Sequence, residues 1–176
     1  MFDFIGLGSG TKLHFMNPDV SEIHINDIAN ALSKNCRFNG QINRFYSVAE
    51  HSVLLADYVY QNTGNNHDAF TMLLHDASEA YICDMPRPIK AVLPDYIELE
   101  EKITNCINKR FGISELTGHL KFLDENVVRV EAENLFDVVP DWVQYYVALD
   151  IELQCWDHET AQTKFLEAFN KYSEDL

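Results

Sequence analysis

Basic residues are scarce. Thirteen lysines and arginines stand against twenty-eight aspartates and glutamates, a formal charge of -15 with a pI near 4.6. A chain so acidic repels other polyanions, which excludes a non-specific grip on a nucleic-acid duplex or an anionic membrane surface. A small anion held through a metal ion stays open. Cysteines are few and isolated: Cys36, Cys83, Cys106 and Cys155 form no C-x-x-C pair. That excludes a zinc ribbon, and the apolar helical surroundings of most of them suit reduced thiols in a cytosol. No apolar run approaches the ~18 residues that a membrane span needs. Met1–Gly10 lacks a basic region and has only a short apolar patch, so no signal peptide is expected and a cytoplasmic location is. Repeats, low-complexity tracts and interdomain linkers are also missing.

What is there is a core. Hydrophobic residues make up 47% and aromatics 12% of 176 residues, enough for one domain, residues 1–176, that buries about two thirds of its unfolded surface. The apolar spacing is mostly helical, and the fold expected is all-α. Residues 1–25 read as an irregular or short-stranded lead-in, with Ile23-His24-Ile25 as a brief extended piece and Asn26 as the cap of a short helix through Ser33. Ser47-Val48-Ala49-Glu50 matches a capping box, which starts a helix running to about Gln61 with His51 on its inner face and gives Glu50 a capping role. Asp68 caps a further helix to about Tyr81 or Ile82. Pro86 and Pro88 forbid regular helix over the next stretch and stiffen a loop holding Asp84, Arg87 and Lys90. Asp95–Arg110 is amphipathic, with Gly112 as its stop. A helix from about Leu120 to Phe136 sets Asp124, Val127, Val128, Glu131 and Leu135 on one face. Trp142–Trp156 is apolar with weak periodicity and is either helix or loop; it could support a homo-oligomer. Asp157 caps a last helix through about Tyr172.

The chemistry gathers on Leu73-Leu74-His75-Asp76-Ala77-Ser78-Glu79-Ala80-Tyr81. On a helix, Glu79 falls about 40° from His75, with Asp76 about 100° away on the far side of Glu79, so three ligand-type side chains share one arc among apolar neighbours. Buried carboxylates need a partner, and a metal ion is the usual one. A solvated acidic face with a core-packed histidine is the plainer alternative. His51, His75, Asp76 and Asp124 would come from three helices, and two imidazoles with two carboxylates suit a first-row divalent cation with open positions for water and substrate oxygens. The loop Cys36–Tyr46 mixes aromatics with Arg37 and Arg44, a combination that fits a base and a phosphate as readily as it fits core packing.

In the order of these motifs the sequence resembles the HD-domain phosphohydrolases. Arg37-Phe38, Glu50-His51-Ser52, His75-Asp76-Ala77-Ser78-Glu79-Ala80, Asp84, Pro88-Ile89-Lys90 and Asp124 with Glu131 follow one another over roughly residues 25–136; the last forty residues carry no such motif. The likeness is greatest to the small nucleotidase branch and to phage deoxyadenosine triphosphate triphosphohydrolases. It implies an all-helical bundle and a divalent transition metal such as Zn, Co or Mn on His51, His75, Asp76 and Asp124. It implies Glu79 acting on the attacking water or as a proton donor, and Asp84 near the sugar or, with Glu79, near a second metal. Arg37, Phe38, Arg87, Pro88 and Lys90 would meet the nucleotide. In bacterial monophosphatases of this kind a Trp usually follows the arginine; Phe38 here, before Asn39-Gly40, leaves different space for a base.

The expected activity is therefore metal-dependent hydrolysis of a deoxynucleotide, either a dATP-type triphosphate cleaved to nucleoside and triphosphate or a deoxynucleoside monophosphate cleaved to nucleoside and phosphate. Arg37, Arg44, Arg87 and Lys90 together would favour the longer phosphate tail. A hydrolase for a signalling nucleotide and a non-catalytic acidic protein braced by a metal are the competing readings. Glu79 and Asp84 speak against bracing, since a structural ion needs no further acids at its mouth.

Overall fold

The computed structural model describes residues 3–174, so Met1 and Phe2 of the lead-in and the last two residues of the expected domain lie outside the described residues. Two short strands, β1 (Ile5–Gly6) and β2 (Lys12–Leu13), pair antiparallel with Ile5 opposite Leu13. Everything else regular among the described residues is helical, as the apolar spacing predicts. The hairpin is tied down at its turn, where Ser9 donates from its backbone N–H (3.0 Å) and its hydroxyl (2.7 Å) to the carboxylate of Asp27.

Asp27 belongs to α1 (Ile25–Leu32), which buries Ile28, Ala29 and Leu32 and follows an extended His24 rather than a cap at Asn26. The extended Ile23–Ile25 piece is not a strand. Helix α2 (Val48–Thr63) begins where expected, with the Ser47 hydroxyl accepting from the Glu50 N–H at 3.1 Å. It ends at Gly64, whose φ of 66° suits a residue without a Cβ. Only half of the predicted capping box forms, because the Glu50 carboxylate turns away from the cap to bind the C-terminal segment.

The predicted continuous helix over 68–81 is two pieces. Asn65 caps α3 (Asn66–Leu74), accepting from Asp68, and α4 (Glu79–Ile82) follows after a tight turn. Across that turn the bonds run from Ala77 N to Leu74 O, Glu79 N to Asp76 O and Tyr81 N to Ser78 O, each spanning three residues. This 3₁₀-like tightening is what breaks the α-helical ladder. Nor do the prolines abolish helix in the next stretch: Arg87–Lys90 forms one turn, α5, with Pro88 in its first turn where no N–H is required. Helices α6 (Pro94–Phe111, stopped by Gly112), α7 (Gly118–Leu135) and α8 (His158–Ser173) lie close to their expected bounds, and Asp157 caps the last by accepting from Thr160 N at 2.8 Å. The Trp142–Trp156 stretch resolves into a 3₁₀ turn, Asp141–Tyr145, followed by irregular chain. Tyr145 and Val147 stand exposed there.

One contiguous core holds these helices. Helix α2 packs on α3, both pack on α8, and α1 lies against α4 and α8. Leu55, Met72, Leu73, Ile103, Phe165 and Tyr172 are fully buried. Phe165 and Tyr172 come from the forty residues that carry no motif, so that segment is part of the scaffold. No described helix is long and apolar enough to cross a membrane.

Candidate metal centre

His51 sits at the start of α2, four residues past its buried N-terminal cap Ser47, and is itself fully buried. His75 follows the last residue of α3, and Asp76 is next to it in the tight turn. Asp124 projects from α7. The four side chains predicted as ligands converge, with one ligating atom from each within 4.8 Å of all the others. His51 Nε2 lies 3.4 Å from His75 Nε2, 3.4 Å from Asp76 Oδ2 and 3.6 Å from Asp124 Oδ1. His75 Nε2 lies 3.2 Å from Asp76 Oδ2 and 3.3 Å from Asp124 Oδ1. Ligands at ~2.1 Å from a common ion would be separated by ~3.0 to ~3.4 Å in octahedral or tetrahedral arrangements, so these spacings fit a divalent cation.

The donors are already oriented for it. Glu131 Oε1 accepts from His51 Nδ1 at 2.6 Å, and the Met72 carbonyl accepts from His75 Nδ1 at 2.6 Å. Each contact fixes the tautomer that leaves Nε2 free as a ligand. The His75 contact also diverts a carbonyl of α3 at the point where the helix tightens. Glu131, fully buried and seven residues beyond Asp124 on the same face of α7, accepts as well from Arg37 Nη2 (2.9 Å) and Nε (3.2 Å). Arg37 Nη1 reaches Asp76 Oδ2 at 3.7 Å. Arg37 therefore braces two acids of the centre and is not free on a loop.

Charge shifts follow from this packing. Burial alone would depress His75, but the Asp76 and Asp124 carboxylates outweigh it and hold the imidazole well above its ordinary value of 6.5. Burial would raise Asp124, yet hydrogen bonds from His51 and His75 keep it well below the carboxylate range. Burial would likewise raise Glu131, and Arg37 with His51 lowers it. Glu79 goes the other way: burial and the neighbouring Asp76 and Asp84 carboxylates push it well up. Its Oε2 is buried with no hydrogen-bond partner. Asp84 is raised too, by burial first and by Asp76 next. Two acids of raised proton affinity thus adjoin the group that could hold a metal ion, although neither belongs to it.

The remaining predicted residues are dispersed. Arg87 is exposed, with Nη2 3.6 Å from Asp124 Oδ2. Lys90 is paired with Glu100 on α6. Pro88 lies exposed beside Arg87 in α5. Phe38 adopts a left-handed φ of 55° and sets its ring edge-on to Phe136, 5.3 Å between centroids, as a packing contact. Arg44 leaves the group altogether and lines a separate cavity with Cys155 and Trp156.

Two contributors escape a reading of the sequence as a ligand list. Glu131 is signalled by its seven-residue spacing from Asp124, which returns it to the same face. Glu50 has no such signal. Its buried carboxylate accepts backbone N–H bonds from Gln154 (2.8 Å), Cys155 (2.8 Å) and Trp156 (2.6 Å), more than a hundred residues away. Burial raises its proton affinity and those three donors oppose the rise.

Fold and centre together define the class: an all-α protein in which two histidines and two aspartates from three segments form a group that could hold a metal ion. No family model matches the chain. Over 133 residues it is 40% identical to the uncharacterized protein YfdR of Escherichia coli K12, a match covering 75% of this chain and 72% of that protein. Over 137 residues it is 35% identical to an uncharacterized protein of Rhodobacter capsulatus, covering 72% of this chain and 70% of its relative. The chain belongs to the YfdR family.

Proposed function

We propose that this chain is a metal-dependent phosphohydrolase of the HD-domain type, cleaving a deoxynucleoside triphosphate of the dATP type to nucleoside and triphosphate. The observation that carries this reading is the convergence of His51, His75, Asp76 and Asp124 beside Glu79, a buried acid whose proton affinity burial and Asp76 raise. A bound divalent ion would neutralise phosphoryl oxygens and activate the attacking water. The reaction forms a bond from that water to the α-phosphorus and breaks the bond from phosphorus to the 5′ oxygen. The departing alkoxide needs a proton, and Glu79, with its raised proton affinity, is suited to supply one. Asp84, a second acid whose proton affinity burial raises, suits the sugar side of the leaving group. Arg37, held by Glu131, directs positive charge toward the same space, and the exposed guanidinium of Arg87 suits an outer phosphate.

The monophosphate reading is favoured by one specific observation, the pairing of Lys90 with Glu100, which removes a cation from any long phosphate tail. The test is hydrolysis of deoxy- and ribonucleoside mono- and triphosphates in the presence of Mn, Co or Zn, with chromatography of the products and His75→Ala as control. Release of intact triphosphate, lost in His75→Ala, is the expected result. Release of phosphate from monophosphates alone would move the substrate class, and no turnover with any metal would remove the reading. Arg87→Glu separates the two substrates further: it should lower triphosphate hydrolysis by at least about tenfold more than monophosphate hydrolysis, whereas equal losses would take Arg87 away from the tail.

A further inference from the structure

A cavity of about 530 Å³ opens between the loop that leads into α2 and the start of α8, lined by Arg44, Phe45, Cys155, Trp156, Asp157 and His158. None of the four residues of the metal group lines it. Phe45 is 39% exposed, Trp156 is half-buried with its inner side against the core, and among the described residues neither ring stacks on another aromatic. Arg44 has no hydrogen bond or ion pair among the described residues, in a chain where Arg37, Lys90, Lys102 and Arg129 are each paired with a carboxylate. Asp157 is the one acid on the wall, and its carboxylate is engaged by the Thr160 N–H at the cap of α8. The wall is also held from behind, because Glu50 takes the backbone N–H groups of Gln154, Cys155 and Trp156, where Cys155 has a left-handed φ of 55°.

Two unpartnered aromatic faces and one uncompensated guanidinium in a preformed space of this size make a site for a flat ring that carries an anion. We infer that the cavity binds a nucleoside monophosphate, with the base against Phe45 and Trp156 and the phosphate on Arg44 and His158. A longer phosphate chain fits worse: among the described residues Arg44 is the only lysine or arginine on the wall, Asp157 shares that wall, and the whole chain is at -15. This site is separate from the metal group and does not depend on the hydrolase reading. It reaches that group all the same, since Glu50, which fastens its wall, directly precedes His51 on α2.

The chain has two tryptophans, so Trp142→Phe leaves Trp156 as the sole indole reporter. Titrating dAMP into the metal-loaded Trp142→Phe protein should give a saturable change in its fluorescence, half-complete below about 1 mM. Arg44→Glu or Phe45→Ala should raise the half-saturation point by about tenfold or more, and Asp124→Ala, which disables the metal group and with it hydrolysis, should leave it within about twofold. Both Arg44 and Phe45 are exposed, so neither change threatens the fold. Deoxyadenosine and inorganic phosphate should each fail to saturate the signal over the same range. The inference is overturned if dAMP gives no saturable change, or if inorganic phosphate alone reproduces it. It is equally overturned if Asp124→Ala abolishes the signal while Arg44→Glu does not, which would put the nucleotide at the metal group. The same change on raising protein concentration without nucleotide would show a second copy of the chain closing the cavity, and would overturn it too.

Discussion

Each imidazole of the centre is aimed by its far nitrogen, His51 through Glu131 and His75 through the Met72 carbonyl. Glu131 is the more exposed to mutation, because one carboxylate serves both His51 and Arg37. In Glu131→Gln the amide offers a single acceptor oxygen and no charge, so His51 loses its anchor or Arg37 its counter-ion. Metal affinity should fall by about 10- to 100-fold, the range seen for such outer contacts, read by competition with a chromogenic chelator. Protons and metal also compete for Nε2 of His75. In the metal-free chain its proton affinity is raised, so the stabilisation from protonated His75 is complete below 6.5, its ordinary value, and is lost as pH rises through the higher folded value. Metal binding needs that proton gone, so its contribution grows over the same interval. Melting curves from pH 6 to pH 9 should therefore move in opposite directions, down in chelator and up in saturating metal. Parallel curves would mean that His75 is not a ligand.

At the scale of elements, the turn at 75–78 is the feature on which the placement of His75 and Asp76 depends and the one least visible beforehand. The cluster that could hold a metal was legible: His51, His75-Asp76 and Asp124 fall at spacings that helices can converge, and their apolar neighbours mark them as inward. The break between α3 and α4 was not, because Leu73, Leu74, Ala77, Ala80 and Tyr81 keep helical spacing through it. An α turn and a 3₁₀ turn differ by one residue in their bonding, and apolar periodicity does not distinguish them over so short a span. Asn65 displaced Asp68 as a cap for a similar reason, both being good acceptors three residues apart. The Ser47 cap was read correctly because its partner is local. Ser47 is fully buried, so Ser47→Ala should lower stability by about 1 kcal/mol, up to about 2, measured by urea unfolding. The start of α2, and with it His51, should fray in amide exchange. The destination of the Glu50 carboxylate was hidden for the opposite reason, since no local rule reaches across a hundred residues.

At the scale of the molecule, the acidity that excludes polyanions also bears on the proposed substrate. With Asp76, Asp124 and Glu131 all held ionised, metal-free protein should repel a triphosphate, so a chelator should weaken nucleotide affinity by at least about tenfold and not only stop turnover. Equilibrium dialysis with dATP on Arg44→Glu protein, which silences the second cavity, isolates this effect; unchanged affinity would detach the nucleotide from the metal. The motif-free C-terminus is structurally indispensable. Phe165→Ala, far from the chemistry, should cost about 3 to 5 kcal/mol through the cavity it leaves, checked by calorimetry. The bond from Glu50 to residues 154–156 then has a consequence during synthesis. Domains are built from the N-terminus as the chain emerges, and α2 with its first ligand is made long before the segment that satisfies its buried carboxylate. Until residues 154–156 arrive, the first turn of α2 carries an unsated carboxylate facing the interior. A ribosome-bound chain ending before Gln154 should accordingly bind metal poorly, although all four residues of the metal group have already been translated.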